Sequence, residues 1–112
     1  TTHLYPIDGR VHEMESGDTA WSNREARWSQ VIVGVDPDPN NADKVTNWCK
    51  NYFDALKPYA MGGAYVNFMM NEGQERIKAS YKGNYDRLVD VKTKYDPSNF
   101  FHVNQNIEPS TD

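Results

Sequence analysis

Gly62-Gly63-Ala64-Tyr65-Val66-Asn67-Phe68-Met69-Met70 is the stretch on which the fold turns. It is a short apolar run with β-branched and aromatic residues, entered through two glycines, and that composition predicts a buried strand. One amide, Asn67, and one phenol, Tyr65, stand inside it. An amide buried among Val, Phe and Met without a partner costs about 1 to 3 kcal/mol, so Asn67 is expected to find one in the backbone or in a ligand.

Upstream, residues 27–35 give the clearest earlier strand. Val31, Val33 and Val35 alternate onto one face, and Trp28, Gln30 and Ile32 onto the other. Gln30 has two readings, a solvated edge position or a place in a pocket. Asp36-Pro37-Asp38-Pro39-Asn40 cannot continue a strand and offers an Asn cap to the next element. In residues 41–56, Val45, Trp48, Cys49, Tyr52, Phe53 and Leu56 recur at helical spacing, and Pro58 ends the run. Cys49 lies in that stripe and reads as core filler rather than a nucleophile. Nearer the N-terminus, residues 2–5 are weakly strand-like up to Pro6, Asp8-Gly9 marks a turn, and residues 19–21 form a short candidate strand.

Downstream, residues 73–81 predict a short helix. Asn84 is placed to cap another, with Tyr85, Leu88 and Val89 inward. Asp96-Pro97-Ser98-Asn99 makes a turn, and residues 100–107 read as a terminal extended segment. The order of elements predicts an α+β fold with a largely antiparallel sheet flanked by helices.

The chain has 112 residues, enough for one core. Twelve Lys and Arg, scattered against sixteen Asp and Glu, leave no electrostatic footprint for nucleic acid. No apolar segment approaches bilayer length, and no charged-then-apolar leader opens the chain, so neither a nucleic-acid nor a membrane partner is expected. One cysteine excludes an intrachain disulfide and a multi-cysteine metal site. A start on Thr1 and a load of three Trp, seven Tyr and four Phe suggest part of a larger protein, with aromatic surface facing another domain or a ligand.

No Walker loop, dinucleotide fingerprint, metal spacing or nucleophile elbow is present. His3, His12 and His102 are far apart and read as surface residues rather than ligands. Two places carry chemistry by residue type: Tyr65-x-Asn67, and the amides Asn104-Gln105-Asn106 next to Phe100 and Phe101. Those amides suit the rim of a heteroaromatic ligand and suit equally the tying down of a C-terminal strand.

Beyond these readings, Gly62-Gly63-Ala64-Tyr65-Val66-Asn67-Phe68, then Asn84-Tyr85-Asp86-Arg87-Leu88-Val89, then Lys92-Thr93-Lys94-Tyr95-Asp96-Pro97-Ser98-Asn99-Phe100-Phe101-His102-Val103-Asn104-Gln105-Asn106-Ile107 resemble a known signature. It is the C-terminal signature of berberine bridge enzyme-like flavin oxidoreductases, of the vanillyl-alcohol-oxidase superfamily. Residues 19–33 resemble the strand pair that precedes it in that family. The resemblance spans nearly the whole chain and covers about the last quarter of a full-length enzyme.

The resemblance implies an FAD-linked oxidase in which an N-terminal domain binds FAD, often covalently through a His and a Cys. A second domain with an antiparallel sheet covers the isoalloxazine ring and forms the substrate pocket. Family members oxidise alcohols, sugars or alkaloid-like amines by hydride transfer to the flavin. On this reading residues 1–60 supply strands and the first helix of the substrate domain. Residues 61–112 are the berberine-bridge-like segment, whose tail returns to the FAD domain. The implied partners are that N-terminal FAD-binding portion and a small-molecule substrate, and neither flavin-attachment residue lies in this chain. The alternative is a ligand-binding or interaction domain that kept the fold and lost the chemistry.

The sequence departs from the family where the strand commonly reads Tyr-x-Asn-Tyr or Tyr-x-Asn-His, because Phe68 occupies the last place. The residue that assists the base aligns with Gln30, and the next pocket position with Ile32. Phe cannot accept a proton and Gln is a poor base, so no residue here is assigned as the catalytic base. The base then lies elsewhere, or is Tyr65 if the strand is locally irregular, or is not needed. The resemblance places Gln30, Ile32 and Phe68 on the substrate side of the flavin. It places Tyr65, Asn67, Asn104 and Asn106 near the cofactor or the domain seam.

Overall fold

The computed structural model describes residues 1–111, which form two compact units. The first comprises residues 1–7 and 26–62, and the second residues 8–25 and the chain from Gly63 onward.

In the first unit, β1 (Thr2–Pro6) and β2 (Trp28–Ile32) pair antiparallel, with Leu4 opposite Gln30 and Pro6 opposite Trp28. Backbone bonds extend the ladder at both ends, from Val33 N to Thr1 O at 2.9 Å and from Ile7 N to Arg27 O at 2.8 Å. Pro6 is tolerated because it sits on an edge strand. After β2 the chain passes Gly34 and the Asp-Pro-Asp-Pro run, then enters a 3-10 turn, Pro39–Asn41. The side chain of Asp38 caps that turn by accepting from Asn40 N at 3.0 Å. The cap expected from Asn40 is absent: Asn40 lies inside the 3-10 turn, and Asn41, which precedes α1 (Ala42–Leu56), makes no side-chain bond to it. Asp38 has already satisfied the entry one turn earlier. On α1 the half-buried stripe is Val45, Cys49, Tyr52 and Leu56, while Trp48 and Phe53 are exposed.

The second unit contains α2 (Gln74–Tyr81) and α3 (Tyr85–Tyr95), joined through a 3-10 turn, Lys82–Asn84. Asn84 stands at the head of α3 but does not cap it. Its Nδ2 donates instead to the carbonyls of Ser16, Thr19 and Ala20 at 2.7, 2.9 and 3.3 Å. These bonds hold residues 16–20 as a turn followed by bends rather than the short strand expected at 19–21.

The strand expected at residues 62–70 is not formed. Gly62 has φ +83°, outside the extended region, and residues Val66–Phe68 make a 3-10 turn. Phe68 N donates to Tyr65 O at 2.9 Å and Met69 N to Val66 O at 3.2 Å, so the backbone is satisfied locally. The one ladder among the described residues is β1 with β2. Residues 100–107 are likewise without a ladder partner. The α+β class with antiparallel pairing stands.

Burial is sparse. Among the described residues the one buried apolar side chain is Ile77, at 4 % exposure. The accessible surface is 8614 Å², whereas a single folded domain of this mass exposes about 6,300 Å². Two independent domains that divided the chain as the units do would expose about 7,600 Å² together. Several large apolar side chains are open to solvent, with Trp28, Tyr59, Phe68, Met70, Phe100 and Phe101 more than half exposed. That apolar surface has the character of a contact face. No helix among the described residues is long and apolar enough to cross a membrane.

Candidate functional site

The 3-10 turn at Val66–Phe68 brings three side chains together. Asn67 Nδ2 donates to the Tyr65 phenol oxygen at 2.7 Å. The Tyr65 and Phe68 rings meet edge to face, 5.2 Å between centroids at 85°, a favoured aromatic geometry. Tyr65 is 46 % and Phe68 63 % exposed, so the pair presents ring surface outward. The amide expected to need a buried partner is exposed and finds the neighbouring phenol instead. A regular strand would carry Tyr65 and Asn67 on one face and Phe68 on the other; the turn is what puts the phenol and the Phe68 ring in contact.

The tail amides behave unequally. Gln105 Nε2 donates to Met69 O at 2.9 Å and to Met70 O at 3.2 Å, which fastens the tail to the exit of the turn. Gln74 Nε2 donates to Asn106 O at 3.2 Å. Asn104 adopts φ +61°, a left-handed conformation that Asn tolerates better than most residues. Its side-chain amide and that of Asn106 have no hydrogen bond to another described residue. They remain able to donate and accept at once, as the carbonyl and imide rim of a flat heterocycle requires. Residues 62–70 carry no charge, so the turn and tail suit a neutral ring edge and face rather than a phosphate.

Gln30 and Ile32 lie two apart on β2 in the first unit. Gln30 is exposed and donates from Nε2 to Thr2 Oγ1 at 2.8 Å, and Ile32 is half-buried opposite Thr2. Phe68, Tyr65, Asn67, Asn104 and Asn106 belong to the second unit. Cys49 faces Gly34 from α1, a packing position, and His12 is half-buried with Nδ1 2.6 Å from Arg24 O. Among the described residues no group of three or more His, Cys, Asp or Glu could hold a metal.

The sequence did not single out Asp96 beyond its turn. Its carboxylate accepts from Phe100 N at 2.8 Å and Phe101 N at 3.0 Å, and from Lys92 Nζ at 2.5 Å; Lys92 Nζ also donates to Phe101 O. The hydrogen bond from Lys92 is the main cause that holds the Asp96 carboxyl below the usual carboxylate range, helped by the two backbone amides. Burial pushes the Tyr81 phenol up. A depressed carboxyl contributes stability that is complete above the unfolded-state value of about 3.9 and is lost as pH falls through the lower folded value. Hydrogen-exchange protection of the Phe100 and Phe101 amides should therefore fall several-fold in Asp96→Ala at neutral pH. The difference from wild type should close only in strong acid, below the ordinary carboxylate range.

Comparison with known proteins adds the family. Residues 64–108, which contain the turn, α2, α3 and the tail, match the family described as berberine and berberine like. The matched stretch, 45 of the 112 residues, is similar to that family. It is 30% identical over 96% of its length to an FAD-linked oxidoreductase of Dictyostelium discoideum, and covers 23% of that protein. It is 35% identical over 93% of its length to berberine bridge enzyme-like 24 of Arabidopsis thaliana, again covering 23%. Against a tetrahydroberberine oxidase of Argemone mexicana the identity is 25%, over 93% of this chain and 23% of that one. The chain thus spans about a quarter of the length of the curated relatives it matches.

Proposed function

We propose that this chain is the C-terminal portion of an FAD-dependent oxidoreductase acting on an alcohol, sugar or alkaloid-like substrate, and that it forms the wall closing over the flavin ring. In this reading Gln30, Ile32 and Phe68 face the substrate. Tyr65, Asn67, Asn104 and Asn106 stand toward the cofactor or the domain seam. The partner surface is the N-terminal FAD-binding portion of the same polypeptide.

The observation that carries the reading is a chain with one buried apolar side chain among the described residues and an accessible surface of 8614 Å², similar over nearly all its length to a quarter of an FAD-linked oxidoreductase. Exposed large apolar side chains in such number mark a surface that meets a partner or a ligand. The residues present fit a flavin ring: exposed aromatic surface at Tyr65 and Phe68, spare amides at Asn104 and Asn106, and no charge in the turn. When bound, the flavin supplies the two-electron acceptor, and the protein supplies orientation and a dry wall. Phe68 excludes water and cannot take a proton. Tyr65 Oη, held by the Asn67 amide, is the group of the turn able to hold or pass one.

The test is the absorbance of the purified polypeptide that carries this chain. An oxidised-flavin band between about 350 and 500 nm is expected, from the cofactor's own chromophore. A protein carrying the chain intact, folded and colourless in that range would overturn the proposal.

A further inference from the structure

The turn that carries Tyr65, Asn67 and Phe68 is fastened at both ends by side chains outside the set assigned to the site. At its entry Asn23 lies against Gly63. A Cβ at residue 63 would come within 2.5 Å of Asn23 Oδ1, 2.6 Å of Nδ2 and 2.8 Å of Cγ. These atoms cannot swing away, because Asn23 is 6 % exposed and its Nδ2 donates to Ser80 O at 3.2 Å. Only glycine fits at that crossing.

At the exit, Met69 is held twice. Ser80, 1 % exposed, donates from Oγ to Arg76 O at 2.8 Å and lies 3.4 Å from Met69 Sδ. Gln105 Nε2 reaches the carbonyls of Met69 and Met70. Ser80 thus touches both fastenings, through its carbonyl at the entry and its hydroxyl at the exit. Between them, among the described residues, the backbone has its 3-10 bonds alone, and the aromatic pair projects outward.

Asn23 Oδ1 has no hydrogen-bond partner among the described residues. Leaving such an acceptor buried and unpaired costs stability, whereas an apolar side chain of similar size would not incur that loss. An amide retained under that cost is explained better by what it positions than by the stability it adds.

We propose that Asn23, Ser80 and Gln105 are positioning residues, which clamp the turn from Gly63 to Met69 so that the Tyr65 phenol and the Phe68 ring keep one arrangement. What those rings face rests on the oxidoreductase reading above, whereas the clamping itself does not. Neither Asn23 nor Gln105 touches substrate or cofactor in this scheme; they act through the rings.

The experiment uses the polypeptide carrying the chain, made with 3-fluorotyrosine, and reads its fluorine spectrum. Tyr65→Phe assigns the Tyr65 signal among the seven tyrosines. Gln105→Ala should shift the Tyr65 signal or broaden it several-fold, with the other tyrosine signals and the unfolding midpoint held. Gly63→Ala should also move the Tyr65 signal, with a lowered unfolding midpoint, and Asn23→Gly in that background should recover part of the midpoint without restoring the signal, because it relieves the clash and leaves the entry unfastened. An unmoved Tyr65 signal in Gln105→Ala, or all tyrosine signals moving together, overturns the clamp. The flavin band of the same samples reports separately. A band with an unmoved Tyr65 signal sinks the clamp alone, and a moved signal without a band sinks the oxidoreductase reading alone.

Discussion

Gly34→Ala should destabilise the protein strongly. A Cβ at residue 34 would lie 2.2 Å from Val45 Cγ1, 2.8 Å from Cys49 Sγ and 3.4 Å from Val45 O. Neither neighbour can yield cheaply. A valine in a helix is confined to essentially one rotamer, and the contact with the Val45 carbonyl belongs to the backbone of α1 itself. The helix must therefore retreat from the end of β2. Forcing an extra carbon into a packed contact costs about 1 to 3 kcal/mol, and a 2.2 Å approach belongs at the upper end of that range or above it. The urea midpoint of the purified polypeptide reads the loss. Val45→Ala in the Gly34→Ala background should recover part of it, because the two substitutions share one volume. A neutral Gly34→Ala would show that β2 and α1 do not approach here.

Cys49, half-buried on α1, has its sulfur against Gly34, a packing contact at the place its helical stripe suggested.

Much of the fold was legible in the sequence, and the reasons are local. The alternation in residues 27–35 gave β2, and the apolar spacing in residues 41–56 and 84–95 gave α1 and α3, because period and length agree in each. Residues 62–70 were not legible. A nine-residue apolar run is consistent with a strand only if a neighbour supplies a ladder, and composition does not say whether one exists. Here the left-handed Gly62 and the local bonds of Phe68 and Met69 settle the backbone another way. The same gap hid the caps. Asp38 and Asn40 are both good capping types, and only the geometry selects Asp38.

Of the candidate site, Tyr65, Asn67 and Phe68 were found by type, but their grouping depends on the turn. Gln105 was visible as one amide of three, and nothing in the sequence distinguished it from Asn104 and Asn106. Asn23 and Ser80 had no signal at all, since an Asn after a Ser and a Ser on a short helix are ordinary surface residues until the chain folds.

The largest effect concerns residues 1–112 expressed alone. With Ile77 as the one buried apolar side chain among the described residues, the hydrophobic term within the chain is smaller than a closed core would give, while ordering the backbone costs about 1 to 2 kcal/mol per residue. Trp28, Tyr59, Phe68, Phe100 and Phe101 would meet water. A segment built to be covered should then unfold over a broad temperature range and bind a hydrophobic dye strongly, with helical signal surviving in α1 and α3. Joined to the rest of the polypeptide, the same residues should melt cooperatively and leave the dye dark.

Thermal unfolding of residues 1–112 alone, followed by circular dichroism with the dye present, is therefore the decisive measurement. A gradual transition with bright dye is expected. A single sharp transition with no dye fluorescence would mean that the chain is complete in itself, a stand-alone binding domain rather than the face of a flavin site.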